Sequence, residues 1–149
     1  LLKHSIVVAT DSCSLSLQDG LPRIQADRLK LTQVVVNVLE NALQALPDRS
    51  RGVTIATLAE SVDGQGESIV VRIVDDGIGM SAETLASVFD PFFTTKRDKG
   101  GSGLGMAVVS GIVHDMGGSI ALRSEPGAGT TVTIRIPVRP NAEGDANGE

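Results

Sequence analysis

Residues 28–46 (RLKLTQVVVNVLENALQAL) carry two stripes at helical spacing. Leu31, Val35, Val38, Ala42 and Leu46 make an apolar stripe, and Gln33, Asn37, Glu40, Asn41 and Gln44 make a polar one. Apolar residues recurring at three- and four-residue steps indicate a helix with one buried face. Asp27 stands where a carboxylate accepts the first orphan N–H groups of such a helix. Pro47 stops its continuation. The segment must therefore lay its apolar side on other elements and hold a row of amides away from them.

The rest of the chain supplies candidates for those elements. Ile6–Thr10 (IVVAT) and Leu21–Gln25 are expected as short strands, and Val53–Ala59 and Ile69–Asp75 as longer ones. Ser61–Glu67 is turn-like between the longer pair. A short helix is expected over Ala82–Val88, and Phe89–Ser102, which has no clear period, is expected as a long loop. Gly103–Met116 follows a helical pattern with Leu104, Val108, Ile112 and Val113 inward. Ser119–Ser124 and Thr130–Val138 alternate as strands across a Pro126–Gly129 turn, where Gly127 and Gly129 serve the turn. The Thr130–Thr131 pair suits strand structure first, with reach to a bound nucleotide as the alternative. The pattern is α+β in two layers: a mostly antiparallel or mixed sheet with helices on one face. Residues 141–149 (NAEGDANGE) are polar and glycine-rich, as in a disordered tail or linker.

Composition narrows the function classes. The 149 residues suit one domain, and with no Trp or Tyr the core must be aliphatic. All three phenylalanines (Phe89, Phe92, Phe93) fall within five positions. Cys13 is the sole cysteine, which excludes an internal disulfide. With only Cys13, His4 and His114 as soft ligands, a structural zinc is disfavoured. The net charge of −5 argues against nucleic acid as the main partner. No apolar run reaches the ~18 residues that span a bilayer. The chain opens on Leu1 with no visible signal peptide and is expected to be a piece of a longer protein.

Chemistry concentrates in four places. Asn37 and Asn41, four apart, share a helix face, and amide oxygens are hard ligands suited to Mg²⁺. Alone, such a pair is more often a solvated face. Asp75 ends an apolar strand in Val74–Met80 (VDDGIGM), where its carboxylate can accept from an adenine exocyclic amine. Gly77 and Gly79 give the backbone freedom there. Alone, this segment reads equally well as an acidic β-turn. Lys96, Arg97 and Lys99 form a basic patch, suited to offsetting phosphate charge or to a solvated face. Gly100–Gly105 (GGSGLG) precedes a helix, where free N–H groups and the helix dipole bind phosphate oxygens. No Gly-Lys-Ser/Thr follows, so it is not a Walker A loop, and no strand precedes it as in a Rossmann site.

The ordered set Gln33–Ala45, Val74–Met80, Asp90–Lys96 and Gly101–Met106 resembles the N, G1, F and G2 boxes of the histidine-kinase-type ATPases, the family of gyrase B, Hsp90 and MutL. The segments PFFTTK and GSGLGMAVV are most similar to the ATP-binding catalytic domain of bacterial sensor histidine kinases. The resemblance covers roughly residues 4–138. It implies a Bergerat-type α/β sandwich, with residues 1–140 as the catalytic domain. It implies ATP and Mg²⁺ as ligands, with Asn41 on the metal. Asn41, Asp75, Gly77, Gly79, Lys96, Gly101, Ser102, Gly103, Leu104 and Gly105 would hold ATP, and Asn37, Asn41 and Lys96 would serve catalysis. Asp76 sits where many members have asparagine.

The implied reaction is transfer of the γ-phosphate to a histidine on a separate dimerisation domain, with a response regulator downstream. Location would be cytoplasmic, without direct membrane contact. ATP-hydrolysing members carry a glutamate at position 37 as general base; Asn37 cannot take a proton, which matches the kinases. Glu40, one turn away, is read as an exposed or second-layer carboxylate at the metal. Neither His4 nor His114 lies in the H-E/D-x-x-x-P setting of a phosphoacceptor. Three alternatives stay open: an anti-sigma-type serine kinase, a conformational ATPase, and a degenerate ATP-binding or partner-docking module without transfer.

Overall fold

The computed structural model describes residues 2–64, 66–91 and 105–138. The elements are α1 (Leu2–Ala9), β1 (Ser12–Leu17), α2 (Arg28–Gln44), β2 (Gly52–Val62), β3 (Gly66–Asp75), α3 (Ala82–Ser87), α4 (Gly105–Asp115), β4 (Ser119–Ser124) and β5 (Thr130–Pro137). The five strands form one sheet in the order β1-β2-β3-β5-β4. β1 runs parallel to β2, and the other pairs are antiparallel. A parallel pair needs a crossover, and α2 is that crossover. The α+β reading and the mixed sheet therefore hold.

One face of the sheet carries the core. Val53, Val71, Ile73, Val132, Ile134 and Ile136 meet Val34, Val38, Leu39, Ala42 and Leu43 of α2 and Met106, Val109 and Val113 of α4. The core is aliphatic, as the composition requires. Asp27 caps α2 by accepting from the N–H groups of Leu29 and Lys30. The buried arc of α2 is wider than the expected stripe, because the helix packs on the sheet, on α4 and on α1 together. Leu31 and Leu46 sit at its margins, half-buried. On α4 the inward positions are Met106, Val109 and Val113, with Val108 and Ile112 half-buried beside them. Of the expected stripe Val113 is buried, Val108 and Ile112 sit at its margin, and Leu104 lies outside the described residues.

The N-terminal segment corrects the sequence reading. Ile6–Ala9 belongs to helix α1, not to a strand. Its β-branched run favours a strand locally, but Ile6 and Ala9, three apart, pack against the core, and that contact decides the state. The Arg49 guanidinium donates to the carbonyls of Val7 (2.5 Å) and Val8 (2.7 Å) and pairs with Asp11, so a cation closes the helix C-terminus. Thr10, 4% exposed, ends the helix and donates to the Arg51 carbonyl. The first strand is instead Ser12–Leu17, an edge strand exposed throughout. Leu21–Gln25 is irregular, with Ile24 packed on the core.

Past α2, the Ser50 hydroxyl and amide, helped by the Arg51 charge, hold the Asp48 carboxyl below the usual carboxylate range. No helix among the described residues is long and apolar enough to cross a membrane. Residues 139–149, including the expected tail, lie outside the described residues.

Candidate functional site

Asp75 closes β3 and is 5% exposed. Its Oδ1 accepts from the Gly77 N–H at 3.0 Å, so the turn after the strand folds back on the carboxylate. The same turn touches the end of α2: the Ile78 N–H donates to the Ala45 carbonyl at 3.0 Å. A Cβ on Gly77 would collide with that carbonyl and lie 2.8 Å from Asp75 Oδ1. Only glycine lets strand end and helix end approach this closely. Asn41 lies one turn before Ala45 on α2, and Asn37 one turn further back, both half-buried. The amide row of α2 and the buried acid of β3 are thus brought together by main-chain contact.

A second main-chain contact ties the turn to the β4–β5 connection. Gly79 has φ +69°, and a Cβ there would land on the Glu125 carbonyl. The Gly127 N–H donates to the Ile78 carbonyl at 2.7 Å. Gly129 has φ +78°, and its Cβ would fall on the Asp75 carbonyl, 2.9 Å from the Asp76 Cα. Gly127 and Gly129 do serve a turn, but Gly129 also lets that turn press against Asp75. Asp76 acquires a clear structural part: its Oδ1 accepts from the Gly52 N–H at 2.6 Å and its own N–H donates to the Gly52 carbonyl. It anchors the start of β2.

Gly105 differs from these glycines. It opens α4, and a Cβ there would meet open space. Among the described residues, packing gives no reason for glycine at this position. Lys96, Gly101, Ser102, Gly103 and Leu104, together with Phe92, Phe93, Arg97 and Lys99, lie outside the described residues. Phe89 and Val88, just after α3, are half-buried against the core. Glu40 lines a groove between α1 and α2 with His4, Ser5, Val8, Ala9, Leu43 and Gln44. That places it on the α1 side of the helix. Among the described residues no cluster of three or more His, Cys, Asp or Glu could hold a metal. The amide oxygens of Asn37 and Asn41 are hard donors, a type that suits Mg²⁺ together with phosphate oxygens.

Sequence reasoning missed Ser124. Its hydroxyl receives the Met80 N–H at 2.8 Å and lies 2.8 Å from Thr130 Oγ1. A lone serine at a strand end carries no pattern, and its partners are 44 and 6 residues away.

Residues 26–140 match the family model described as histidine kinase-, DNA gyrase B-, and HSP90-like ATPase. The chain belongs to this family. Within this ATPase family its likeness is to the ATP-binding catalytic domain of sensor histidine kinases. It is 41% identical to the sensor histidine kinase ZraS of Escherichia coli (strain K12) over 145 residues, 93% of this chain and 30% of ZraS. It is 37% identical to sporulation kinase E of Bacillus subtilis (strain 168), covering 100% of this chain and 19% of that protein. The chain thus spans about a third or less of these curated relatives. Among solved structures, full-length ShkA in complex with AMPPNP superposes with a TM-score of 0.72 at 26% identity, covering 95% of this chain and 30% of that one. The mycobacterial sensor histidine kinase MprB gives a TM-score of 0.72 at 25% identity, covering 94% and 93%.

Proposed function

We propose that this ATPase-family domain binds ATP with Mg²⁺ and passes the γ-phosphate to a histidine on a separate dimerisation domain of its parent kinase, from which a response regulator takes it. One observation carries the reading: a nearly buried carboxylate, Asp75, sits at a strand end whose turn is bonded to the helix that presents Asn37 and Asn41. Base and phosphate ends of a nucleotide need such a pair of sites, one apolar with a fixed acceptor and one polar.

Asp75 accepts from the adenine amine, in the turn built by Gly77 and Gly79. Asn41, with Asn37 beside it, faces the metal and phosphates. Lys96 and the Gly101–Gly105 segment, with Ser102, Gly103 and Leu104, hold the phosphate oxygens. Asn41, with Asn37 beside it, would hold the metal, which would supply positive charge to offset that of the phosphates. The residues themselves position and screen; Asn37 is an amide and offers no general base to a water, which favours transfer over hydrolysis. By this reading the domain works in the cytoplasmic portion of its parent, without nucleic acid and without direct membrane contact.

The test is incubation with γ-labelled ATP, with and without the parent's dimerisation domain, followed by acid and alkali treatment. Acid-labile, alkali-stable label on the partner, with none on this chain alone, is the expected result. Alkali-labile label on the partner would point to a serine kinase. Rapid phosphate release without a partner would point to a conformational ATPase.

A further inference from the structure

We propose that the edge strand β1 pairs with β1 of a second copy of this chain, antiparallel about a two-fold axis at Leu15. β1 is the outermost strand on its side of the sheet, beyond β2. Gln18, which continues it, donates its N–H to the Thr57 carbonyl of β2 at 3.0 Å. Alternate residues of such a strand turn their backbone groups to the same side, so Ser12, Ser14 and Ser16 bond to β2. Cys13, Leu15 and Leu17 then turn their N–H and C=O groups outwards. Among the described residues no strand meets these groups.

The side chains of the strand are sorted by face. Cys13 and Leu15 are the register partners of Val53 and Ile55, which belong to the helix-side core or pack against it. The helices do not reach over this end of the row: Leu15 is 65% and Leu17 57% exposed. The serines take the opposite face. Nothing on β1 guards the edge, since Ser12–Leu17 holds no charge and no proline, and its register on β2 is unbroken. The other edge of the sheet, β4, carries the cation Arg123.

A copy of β1 fits this edge by its own sequence. With Leu15 opposite Leu15, Cys13 falls opposite Leu17 on both sides of the axis, and outward N–H groups meet outward C=O groups. Apolar side chains then meet apolar ones on the helix-side face, and serines meet serines on the other. A shift by one residue sets leucine against serine and puts free backbone groups opposite groups already bonded to β2. The contact is isologous and one strand of 6 residues long. That makes it small and reversible beside stable interfaces of ~1,200 Å² and more.

The pairing goes beyond nucleotide binding, since Asp75 lies two strands away on β3. The experiment is sedimentation velocity of this chain from micromolar to millimolar concentration, with a reductant, for wild type and Leu15→Lys. Wild type should pass from monomer to dimer as concentration rises. Leu15→Lys sets two ammonium groups directly opposite each other and removes both leucines at the axis. Its dissociation constant should rise about tenfold or more, because symmetry applies the change twice. Its circular dichroism should match that of wild type. Amide exchange gives a second measurement. The N–H groups of Cys13, Leu15 and Leu17 should exchange more slowly as concentration rises, while those of Ser14 and Ser16, already bonded to β2, should not change. A chain that stays monomeric to millimolar concentration overturns the inference. So does a dimer that Leu15→Lys forms equally well, or one that leaves the Leu15 amide unprotected, or one that the reductant abolishes. If Leu15→Lys does not fold, the amide pattern of wild type decides alone.

Discussion

Arg135 on β5 and Glu60 on β2 form an ion pair, Nε to Oε2 at 3.0 Å, across the intervening strand β3. Register places Arg135 opposite Val70 and Glu60 opposite Ser68. Val70 alternates with Val71, which packs in the helix-side core, so it faces the other side of the sheet. It is nevertheless 0% exposed. The pair crosses the sheet on the side that Val70 faces, which puts the methylene stems of the two side chains in position to cover it.

Glu60→Ala should therefore cost less than Arg135→Ala. The charges are roughly two-fifths and one-third exposed, so the pair itself contributes about 0.5 kcal/mol. Arg135→Ala also uncovers Val70 and should reach roughly 1–1.5 kcal/mol. Urea denaturation measures both, and equal losses would argue against the cover.

Gly79 and Gly105 should separate fold from ligand. Gly79→Ala puts a side chain at φ +69° and onto the Glu125 carbonyl, a loss of about 2–4 kcal/mol in denaturant unfolding. Gly105→Ala meets open space at a helix start and should leave the unfolding midpoint near that of wild type. Its effect, if the phosphates approach there, appears as weaker ATP binding.

Asp75→Asn exchanges a pure acceptor for a mixed donor and acceptor. Its remaining oxygen still accepts from Gly77, so the turn should persist. Loss of ATP affinity of roughly ten- to a hundredfold is expected by calorimetry. Equal binding of ATP by the variant, or of GTP by wild type, would remove Asp75 from the base site.

ATP affinity should fall when EDTA removes the divalent metal, and Asn41→Asp should change that dependence. Indifference of both proteins to EDTA would take the metal away from Asn41.

Arg49→Ala should loosen α1 alone. The side chain is half-exposed, yet it closes two carbonyls of a helix of 8 residues. Hydrogen exchange in Leu2–Ala9 should quicken while β3 keeps its protection. Uniform quickening would show that α1 and the sheet open together.

The sequence revealed most where the pattern was local. α2, β2, β3, β4 and β5 follow from period and turn chemistry, and Asp27 announced its own helix. α1 did not, because the cation that closes it stands some forty residues later at Arg49, and a Val-Val pair leans towards strand when read alone. β1 had a signal, the alternation of Ser12, Ser14 and Ser16 with Cys13, Leu15 and Leu17, but an edge strand with every residue exposed shows little apolar contrast. At the site, Asp75 and the asparagines stood out by type and order. Gly129 and Ser124 did not, since their importance lies in which backbone they approach across the sheet.

The bond from the Ile78 N–H to the Ala45 carbonyl bears on how this domain tolerates recombination. The last turn of α2 and the turn after β3 are moulded to each other around Gly77, at a separation a methyl group would spoil. Residues 28–46 and 75–80 are therefore one exchangeable block, although about thirty residues of strand lie between them. A chimera that takes the helix from one relative and the turn from another would inherit two surfaces shaped for different neighbours. Crossover points placed in β2, or in the Asp63–Gly64 turn, would cut that block in two. Points before Asp27 or after Gly129 would carry it whole, together with the β4–β5 turn that presses on Asp75 and Gly79.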